Sequence, residues 1–361
     1  MNKLQIAINY DNASSSYPIF IADGLLSSFS DLFPLDSYSK VVICFDQAVG
    51  GSWLDPLLRG IKRPAEQIKL IASEEQKTLQ QAEKIWQQLL DYQCDRRSLV
   101  LNLGGGIIGD LAGFAASTYM RGLDFVQIPT TLLAQVDASV GGKLAVNFSG
   151  LKNLVGCFNQ PRAVVIDVDT LSTLPKREIS AGFAEVVKHS LIADQAYAVE
   201  LKDLNLASIS KEQWIAIITR SCEIKAKIVE ADEREASIRK VLNFGHTVGH
   251  AVESLLLEKN EHLLHGEAVA LGMIVESHIA LQKGLISQPE YSDITALLAA
   301  FDLPLRLPAP ISVEQLIDRI LFDKKNVAGQ INWTLIKGIG SACFDQEAST
   351  EQVRLALAEI M

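Results

Sequence analysis

The chain has 361 residues, of which 48% are apolar and 21% charged, so it is too long for one hydrophobic core and predicts two soluble globular domains. Its 33 basic and 43 acidic residues give a net charge of −10, which disfavours nonspecific binding to nucleic acid or to a membrane surface. Five scattered cysteines without a C-x-x-C pair, no signal-peptide pattern and no apolar run approaching about 18 residues predict a cytoplasmic protein with reduced thiols.

The first half alternates short apolar runs with a helical pattern. The N-terminus alternates Leu4, Ile6 and Ile8 like a strand. Further apolar runs predict strands at Val41–Phe45, Leu99–Leu103, Phe125–Ile128 and Ala163–Asp167, and a helical pattern covers Ala82–Leu90. This rhythm is typical of a parallel sheet with crossover helices, so the predicted class is α/β.

The second half predicts a helical domain. Eleven of the 23 glycines lie between Gly104 and Gly182, and no proline occurs between Pro175 and Pro289. Ser-x-x-Gln boxes that predict helix N-termini begin at Ser73, Ser210, Ser312 and Ser349. Pro175 interrupts the predicted linker at 170–179, so the predicted domains are 1–178 and 179–361.

A glycine-rich turn at Leu103–Asp110 follows a predicted buried strand. Glycines let a backbone approach phosphate closely, and the helix that follows offers free amides. The spacing matches the dinucleotide fingerprint, but Pro129 stands about where that fingerprint places an acidic residue. We therefore interpret the turn as a pyrophosphate-binding loop that differs from the ordinary Rossmann fingerprint. A strand-to-helix turn without a ligand is the alternative.

Two lysines follow in glycine-bearing, apolar sequence. Lys143 ends the run Pro129–Lys143, and Lys152 lies in Gly-Leu-Lys-Asn. Ammonium groups and backbone N–H groups beside glycine turns are typical of anion binding, whereas a lone lysine is ordinarily a solvated surface residue. Further on, Glu185 and Lys188 are three residues apart on an apolar helical pattern, where a helical ion pair of small energetic value is the alternative.

Three of the six histidines lie within twenty residues. His246 and His250 are four apart, which on a helix places both rings on one face, and His265 follows. Imidazole is a common ligand of catalytic metals, which usually bind three side chains and keep one open position. The spacing permits both His246 and His250 as ligands, and a hydrogen-bonded histidine pair on a core helix is the alternative.

Together these segments resemble the 3-dehydroquinate synthase family, a sugar phosphate cyclase family of the shikimate pathway. The resemblance covers nearly the whole chain and is strongest from Gly104 to Glu276. It rests on Gly109–Ala116, Tyr119–Gly122, Pro129–Asp137, Ser139–Lys143, Ala181–Lys188, Asn243–His250 and His265–Val269. It implies a Rossmann-like, parallel-sheet NAD-binding domain, a C-terminal all-helical domain for metal and substrate, a divalent metal in the cleft between them, and a homodimer.

The resemblance also implies which side chains bind the metal. By position, the ligands of one Zn or Co ion per chain are Glu185, His246 and His265. His250 is implied to face the substrate and relay protons. His189 and His262 have no implied role, and we expect them at the surface or behind the ligands.

The implied reaction converts 3-deoxy-D-arabino-heptulosonate 7-phosphate to 3-dehydroquinate and phosphate. It combines transient NAD-dependent oxidation, phosphate elimination, reduction and intramolecular aldol closure, so the net reaction is that of a lyase. The substrate carries a phosphate and a carboxylate, for which an acidic protein must collect cations locally. The implied substrate set is Asp137, Lys143, Lys152, Asn153, Lys188, Lys225, Glu235, Arg239, Asn243 and one of Lys324 and Lys325, with Arg121 lent across the dimer interface.

The implied NAD set comes mainly from the first half. It comprises Asp46, Ser73, Glu74, Glu75, Gln76, Lys77, Gly106, Ile107, Ile108, Gly109, Asp110, Thr130, Thr131, Lys143, Lys152, Thr170, Leu171, Ser172 and Thr173. The chain departs from the family pattern at Ser73, where glycine is common, at Leu151 before the lysine, and at Ser190. These departures concern local loop shape.

Three other functions share some of these features. The iron-containing alcohol and glycerol dehydrogenases have a similar glycine loop, but the lysine set favours a phosphate-bearing substrate. Cyclases that make inosose or valiolone are closer alternatives, and Lys152, Asn153 and Arg239 favour a substrate with a carboxylate. A non-catalytic nucleotide-binding protein would not need the metal set.

Overall fold

A computed structural model describes residues 1–10, 13–259, 261–321 and 331–361. These residues form two compact units. The first unit comprises Met1–Pro175 and Ser210–Glu230, and the second comprises Lys176–Ile209 and Ala231–Met361. The main difference from the predicted ranges 1–178 and 179–361 is the segment Ser210–Glu230, which belongs to the first unit although it lies beyond the linker.

The first unit is built on a mostly parallel sheet. The strands of the first unit are β1 (Asn2–Tyr10), β2 (Ala13–Ala22), β3 (Val41–Asp46), β4 (Glu66–Leu70), β5 (Leu99–Gly104), β6 (Asp124–Pro129), β7 (Lys143–Phe148), β8 (Leu151–Phe158) and β9 (Ala163–Asp167). In the described part of the chain, seven of them form one sheet in the order β1-β2-β9-β6-β5-β3-β4, with only β1 antiparallel to its neighbour. β7 and β8 form a separate antiparallel hairpin. The predicted strands and the predicted sheet are confirmed.

The central strands are apolar throughout because both faces of the sheet are covered. Val41 and Ile43 of β3 belong to one hydrophobic core, whereas Val42 and Cys44 belong to another. Side chains alternate across a strand, so an uninterrupted apolar run is what two covered faces require.

The helices have the following bounds. They are α1 (Phe29–Leu32), α2 (Gln47–Val49), α3 (Asp55–Ile61), α4 (Leu79–Asp91), α5 (Gly106–Thr118), α6 (Lys176–Ala193), α7 (Gln195–Lys202), α8 (Lys211–Ala231), α9 (His246–Glu258), α10 (His265–Gln282), α11 (Gln288–Ala300), α12 (Val313–Leu321) and α13 (Thr350–Leu357). Among the described helices, none is long and apolar enough to cross a membrane.

The second unit packs its helices around α10. Every residue from Gly266 to Ser277 in α10 is buried, and α6, α9, α11 and α13 contact this helix. Phe183 of α6 stacks on Phe301 with ring centroids 4.2 Å apart. The helical prediction is confirmed, and a short antiparallel pair, β10 (Trp333–Ile336) and β11 (Ala342–Gln346), accompanies the helices.

Three of the four predicted Ser-x-x-Gln caps start helices. Ser210, Ser312 and Ser349 each accept a hydrogen bond from the backbone N–H of the glutamine three residues later, at 3.2–3.3 Å. The prediction at Ser73 was wrong. Ser73 Oγ accepts from Gln76 N at 3.3 Å in a turn, and the next helix begins only at Leu79 because Thr78 bridges to Asn147 of the hairpin.

Candidate functional site

Three predicted metal ligands meet in the second unit. Glu185 lies in α6, whereas His246 and His265 are the first residues of α9 and α10. Glu185 Oε1 is 3.7 Å from His246 Nε2 and 4.0 Å from His265 Nε2, and one donor atom from each residue lies within 4.8 Å of the others. Two imidazoles and one carboxylate are the donor set of a catalytic divalent-metal site with an open position, and their spacing fits a shared ion.

Each histidine of this set has a partner for its other ring nitrogen. His246 Nδ1 lies 3.2 Å from the Phe244 carbonyl oxygen, and His265 Nδ1 lies 3.7 Å from Glu253 Oε2. With a proton on Nδ1, both rings present Nε2 to Glu185, which is how partners behind a metal site orient its ligands. Burial lowers the pKa of His265, but the carboxylates of Glu253 and Glu185 together raise it by more, so the net shift of this pKa is upward.

Glu253 is not among the site residues that the sequence predicts. It lies on α9 seven residues after His246, which is two turns along the same helical face. The spacing places Glu253 on the same face of α9 as His246. It does not show that Glu253 contacts His265, because that histidine belongs to another helix.

The carboxylate of Glu185 also contacts a buried cation. Glu185 and Lys188 are at most 1% exposed, and Lys188 Nζ contacts Glu185 Oε2. The same ammonium donates to the Leu242 carbonyl oxygen at 2.9 Å. A buried charge requires such partners, so this pair is more than a solvated helical ion pair.

The other histidines differ in placement. The His250 ring lies edge-on to His246 with centroids 5.3 Å apart, and 6.0 Å from His265. His262 is exposed, as expected of a surface residue, whereas His189 is fully buried in α6 and the surface alternative does not apply to it.

Two further predicted oxyanion residues of the second unit, Arg239 and Asn243, lie in the segment before α9. Arg239 is 2% exposed and donates from Nη1 to the Glu233 carbonyl oxygen. Asn243 Nδ2 donates to Glu235 Oε1 at 2.5 Å. Lys324 and Lys325 lie outside the described residues.

In the first unit, the glycine-rich turn joins β5 to α5. A Cβ at Gly105 would lie 3.0 Å from Thr131 Cγ2, and one at Gly106 would lie 3.2 Å from Ala138 Cβ. A side chain at either position would therefore push the neighbouring segment away by a few tenths of an ångström. Gly106, Ile107, Ile108, Gly109 and Asp110 form the first turn and a half of α5.

Two buried hydroxyls lie near this turn. Thr130 Oγ1 and Ser139 Oγ have no hydrogen-bond partner among the described residues. Thr130 N donates to the Gly104 carbonyl oxygen at 3.0 Å, and Ser139 lines a small pocket together with Gly104, Gly106 and Gly109. Buried hydroxyls ordinarily have partners, so these two fit a phosphate-bearing ligand. Ser139 was missed, although it begins a motif that carried the resemblance.

Lys77 is buried against side chains of α5 and β8. It is 4% exposed, and its Nζ lies 2.5 Å from both Asp110 Oδ2 and Asn153 Oδ1. Burial raises the pKa of Asp110, and the ammonium of Lys77 opposes that rise. Asn147 Nδ2 donates to Glu74 Oε2 at 2.9 Å, so the turn that contains Ser73, Glu74, Glu75 and Gln76 is tied to the hairpin.

The remaining lysines of the first unit differ in exposure. Lys225 is 5% exposed and its Nζ is 2.6 Å from Asp137 Oδ1. Lys143 and Lys152 are exposed on the hairpin despite their apolar sequence surroundings, with Lys152 Nζ 3.9 Å from Glu74 Oε1.

Two other predicted NAD-binding residues, Asp46 and Thr170, make hydrogen bonds within the first unit. Asp46 Oδ1 accepts from Ala48 N at 3.2 Å and caps α2. Thr170 Oγ1 donates to the Asp167 carbonyl oxygen at 2.7 Å, and Thr170, Leu171, Ser172 and Thr173 form part of one 3-10 helix. Arg121 is exposed with a φ of 74°.

The sequence is similar to one enzyme family over nearly its whole length. Sequence models described as 3-dehydroquinate synthase N-terminal and C-terminal match residues 67–181 and 182–326. The 3-dehydroquinate synthase of Desulforamulus reducens is 42% identical over 98% of this chain and 99% of its own.

Two solved structures share the complete architecture. A 2-deoxy-scyllo-inosose synthase complexed with carbaglucose-6-phosphate, NAD⁺ and Co²⁺ is 25% identical, with a TM-score of 0.90 over 100% of both chains. The 2-epi-5-epi-valiolone synthase of Streptomyces hygroscopicus subsp. jinggangensis 5008, with NAD⁺ and Zn²⁺ bound, is 26% identical, with a TM-score of 0.85 over 97% of this chain and 98% of its own.

Proposed function

This chain belongs to the 3-dehydroquinate synthase family, and we propose how its own side chains carry out that family's reaction. The reaction converts 3-deoxy-D-arabino-heptulosonate 7-phosphate to 3-dehydroquinate and phosphate, and it is a lyase reaction without net redox change. The observation that carries the assignment is the convergence of Glu185, His246 and His265 within 4.8 Å.

Those three residues would hold one Zn or Co ion per chain, since the related cyclases contain Co²⁺ or Zn²⁺. When bound, the metal supplies Lewis-acid stabilisation of negative charge on a substrate oxygen, and NAD supplies a reversible hydride acceptor. Glu253 and the Phe244 carbonyl hold the proton on Nδ1 of the two imidazoles, so that each Nε2 keeps its lone pair for the metal.

His250 transfers protons next to the three metal ligands. Its ring lies one helical turn after His246 and is partly exposed, so one of its ring nitrogens can exchange a proton with a substrate group. Because Glu185, His246 and His265 already supply three ligands, His250 is not needed to complete the metal site.

The substrate anions are bound by side chains that contact carboxylates or backbone carbonyl oxygens of the protein when no substrate is present. In the second unit, Lys188, Arg239 and Asn243 supply N–H donors, and Glu235 orients Asn243. In the first unit, Lys225 is oriented by Asp137. Lys143, Lys152, Asn153 and one of Lys324 and Lys325 complete the assignment.

NAD is bound by the first unit. The first amides of α5, at Gly106, Ile107 and Ile108, would bind phosphate, whereas Gly109 N donates to the Gly105 carbonyl oxygen and Gly109 and Asp110 would shape the turn. The hydroxyls of Thr130 and Thr131 belong to the same assignment, and we add Ser139 to it. The turn at Ser73–Lys77, Asp46 and the 3-10 helix with Thr170–Thr173 supply the outer contacts.

The exposed apolar residues of the hairpin fit a homodimer interface. Phe148, Leu154 and Phe158 are 43–48% exposed, and Met120 beside Arg121 is 43% exposed. Exposed apolar clusters on soluble proteins mark interaction surfaces. Light scattering should give twice the chain mass of 39.5 kDa, and Leu154→Asp should lower it to one chain. A wild-type monomer would contradict this assignment.

The amino-acid composition also supports our assignment of the protein to the cytoplasm.

Phosphate release tests the activity. Incubation with the heptulosonate phosphate, NAD⁺ and Zn²⁺ should release phosphate without accumulation of NADH. Glucose 6-phosphate, the oxygen-ring parent of the carbaglucose-6-phosphate bound in the inosose synthase, should give no phosphate. Release from glucose 6-phosphate alone would favour an inosose-forming cyclase, and net NADH formation from glycerol would favour a dehydrogenase.

A further inference from the structure

The first two turns of α9 carry His246 and His250, yet the N-terminus of this helix has no cap from its own segment. Its N-cap residue is Gly245, in a left-handed conformation with φ of 83°, and no side chain of that position caps the helix. The first amides of a helix have no partner within the helix and must find one elsewhere when they are buried.

That partner is the carboxylate of Glu276, which lies thirty-one residues later, in α10. Glu276 is 0% exposed. Its Oε2 accepts from Gly245 N at 2.6 Å and its Oε1 from Val248 N at 3.5 Å. A carboxylate at a helix N-terminus is also favoured by the helix dipole. The two amides bracket His246, so the hydrogen bonds act on the backbone that carries this ring.

The backbones of α9 and α10 are already in close contact at the same place. A Cβ at Gly272 would lie 1.8 Å from the Gly245 carbonyl oxygen, and one at Gly245 would lie 2.7 Å from the Val269 carbonyl oxygen. Glycine contacts of this kind set the distance between the helices. They do not set the rotation of α9 about its axis, which directional hydrogen bonds can fix.

We propose that Glu276 is a positioning residue that fixes the rotation and axial position of α9, and thereby aims His246 Nε2 at Glu185 and His265. The inference rests on the proposed metal assignment. Glu276 would act through the backbone of Gly245 and Val248, not by binding the metal. Without its charge, α9 would rotate or shift slightly while remaining helical, and a donor set whose atoms must meet within a few tenths of an ångström would bind metal less tightly.

The test compares Co²⁺ binding to Glu276→Gln, Glu276→Asp and Ser277→Ala. Glutamine keeps the size but loses the charge, and one of its two terminal groups is a donor that faces another donor. Aspartate keeps the charge and shortens the reach. Ser277 is the matched control, because it is the next buried residue of α10 and its Oγ has no hydrogen-bond partner among the described residues.

We expect Glu276→Gln to bind Co²⁺ about 10- to 100-fold more weakly, with an altered Co²⁺ absorption spectrum and a retained far-UV circular dichroism spectrum. Glu276→Asp should be intermediate, and Ser277→Ala should match wild type. A carboxylate that served only to stabilise the fold would lower the melting temperature without changing the spectrum of bound Co²⁺.

Wild-type Co²⁺ affinity and spectrum in Glu276→Gln would overturn the inference. If that variant does not fold, the comparison of Glu276→Asp with Ser277→Ala decides in the same way. His246→Ala is measured beside them. If His246→Ala kept wild-type affinity, the metal assignment itself would be wrong, and this failure is distinct from a failure of Glu276 alone.

Discussion

The metal set of the second unit and the cofactor region of the first unit hold their charged groups in different ways. Glu185, His246 and His265 lie on helices, and the Phe244 carbonyl and the Glu253 carboxylate contact the two histidines from behind. In the first unit, Lys77 and Lys225 are buried against carboxylates, whereas Lys143 and Lys152 stand on an exposed hairpin. In the proposed site the metal donors are therefore preorganised, whereas the lysines proposed to bind anions must exchange their present contacts for the anion.

Removing the metal tests this difference most strongly. A chelated sample should lose essentially all turnover and keep its far-UV circular dichroism, because the apolar cores of both units are formed without the metal donors. Readdition of Zn²⁺ should restore phosphate release. Loss of secondary structure together with activity would mean that the donor set is not preorganised.

Variants of the two histidines of α9 distinguish metal binding from proton transfer. His246→Ala removes one of three ligands, so metal content and activity should both fall. His250→Ala should keep about one metal per chain while kcat falls about 10²–10⁴-fold, with partial rescue by small added bases. Elemental analysis beside kinetics measures both effects. Equal metal loss in the two variants would make His250 a ligand.

A smaller effect is expected on the exposed hairpin. Lys152→Ala removes an ammonium assigned to an anion, and a hydrogen bond to a charged group is worth about 1.5–3 kcal/mol, or about 10- to 100-fold in kcat/KM. Lys69→Ala, at an exposed lysine of β4, is the control and should leave kcat/KM unchanged. An unchanged kcat/KM in Lys152→Ala would remove this lysine from the binding set.

The smallest effect is expected at Ser139. Its buried hydroxyl has no hydrogen-bond partner among the described residues, so Ser139→Ala should leave the melting temperature unchanged or slightly raised. NAD⁺ binding should weaken about 5- to 10-fold if one hydrogen bond to the cofactor is lost. Calorimetric titration with NAD⁺ measures this change, and Co²⁺ affinity serves as the control. Unchanged NAD⁺ affinity would contradict the assignment of Ser139.

Much of the fold could be predicted because its signals are local. The runs Val41–Phe45 and Leu99–Leu103 are apolar at every position, which is sufficient to indicate strands buried on both faces. The caps at Ser210, Ser312 and Ser349 need only contacts over three residues. The same box at Ser73 failed because Thr78 pairs with the distant Asn147.

The sequence by itself determined the α/β and helical halves, the glycine turn and, by its motifs, the family. Only the tertiary structure decided that Ser210–Glu230 belongs to the first unit and that Glu253 lies behind His265. It also decided that Glu276 caps the helix of His246. These contacts join segments that are far apart in the sequence, and which side chains meet depends on how the helices pack, which no short pattern encodes.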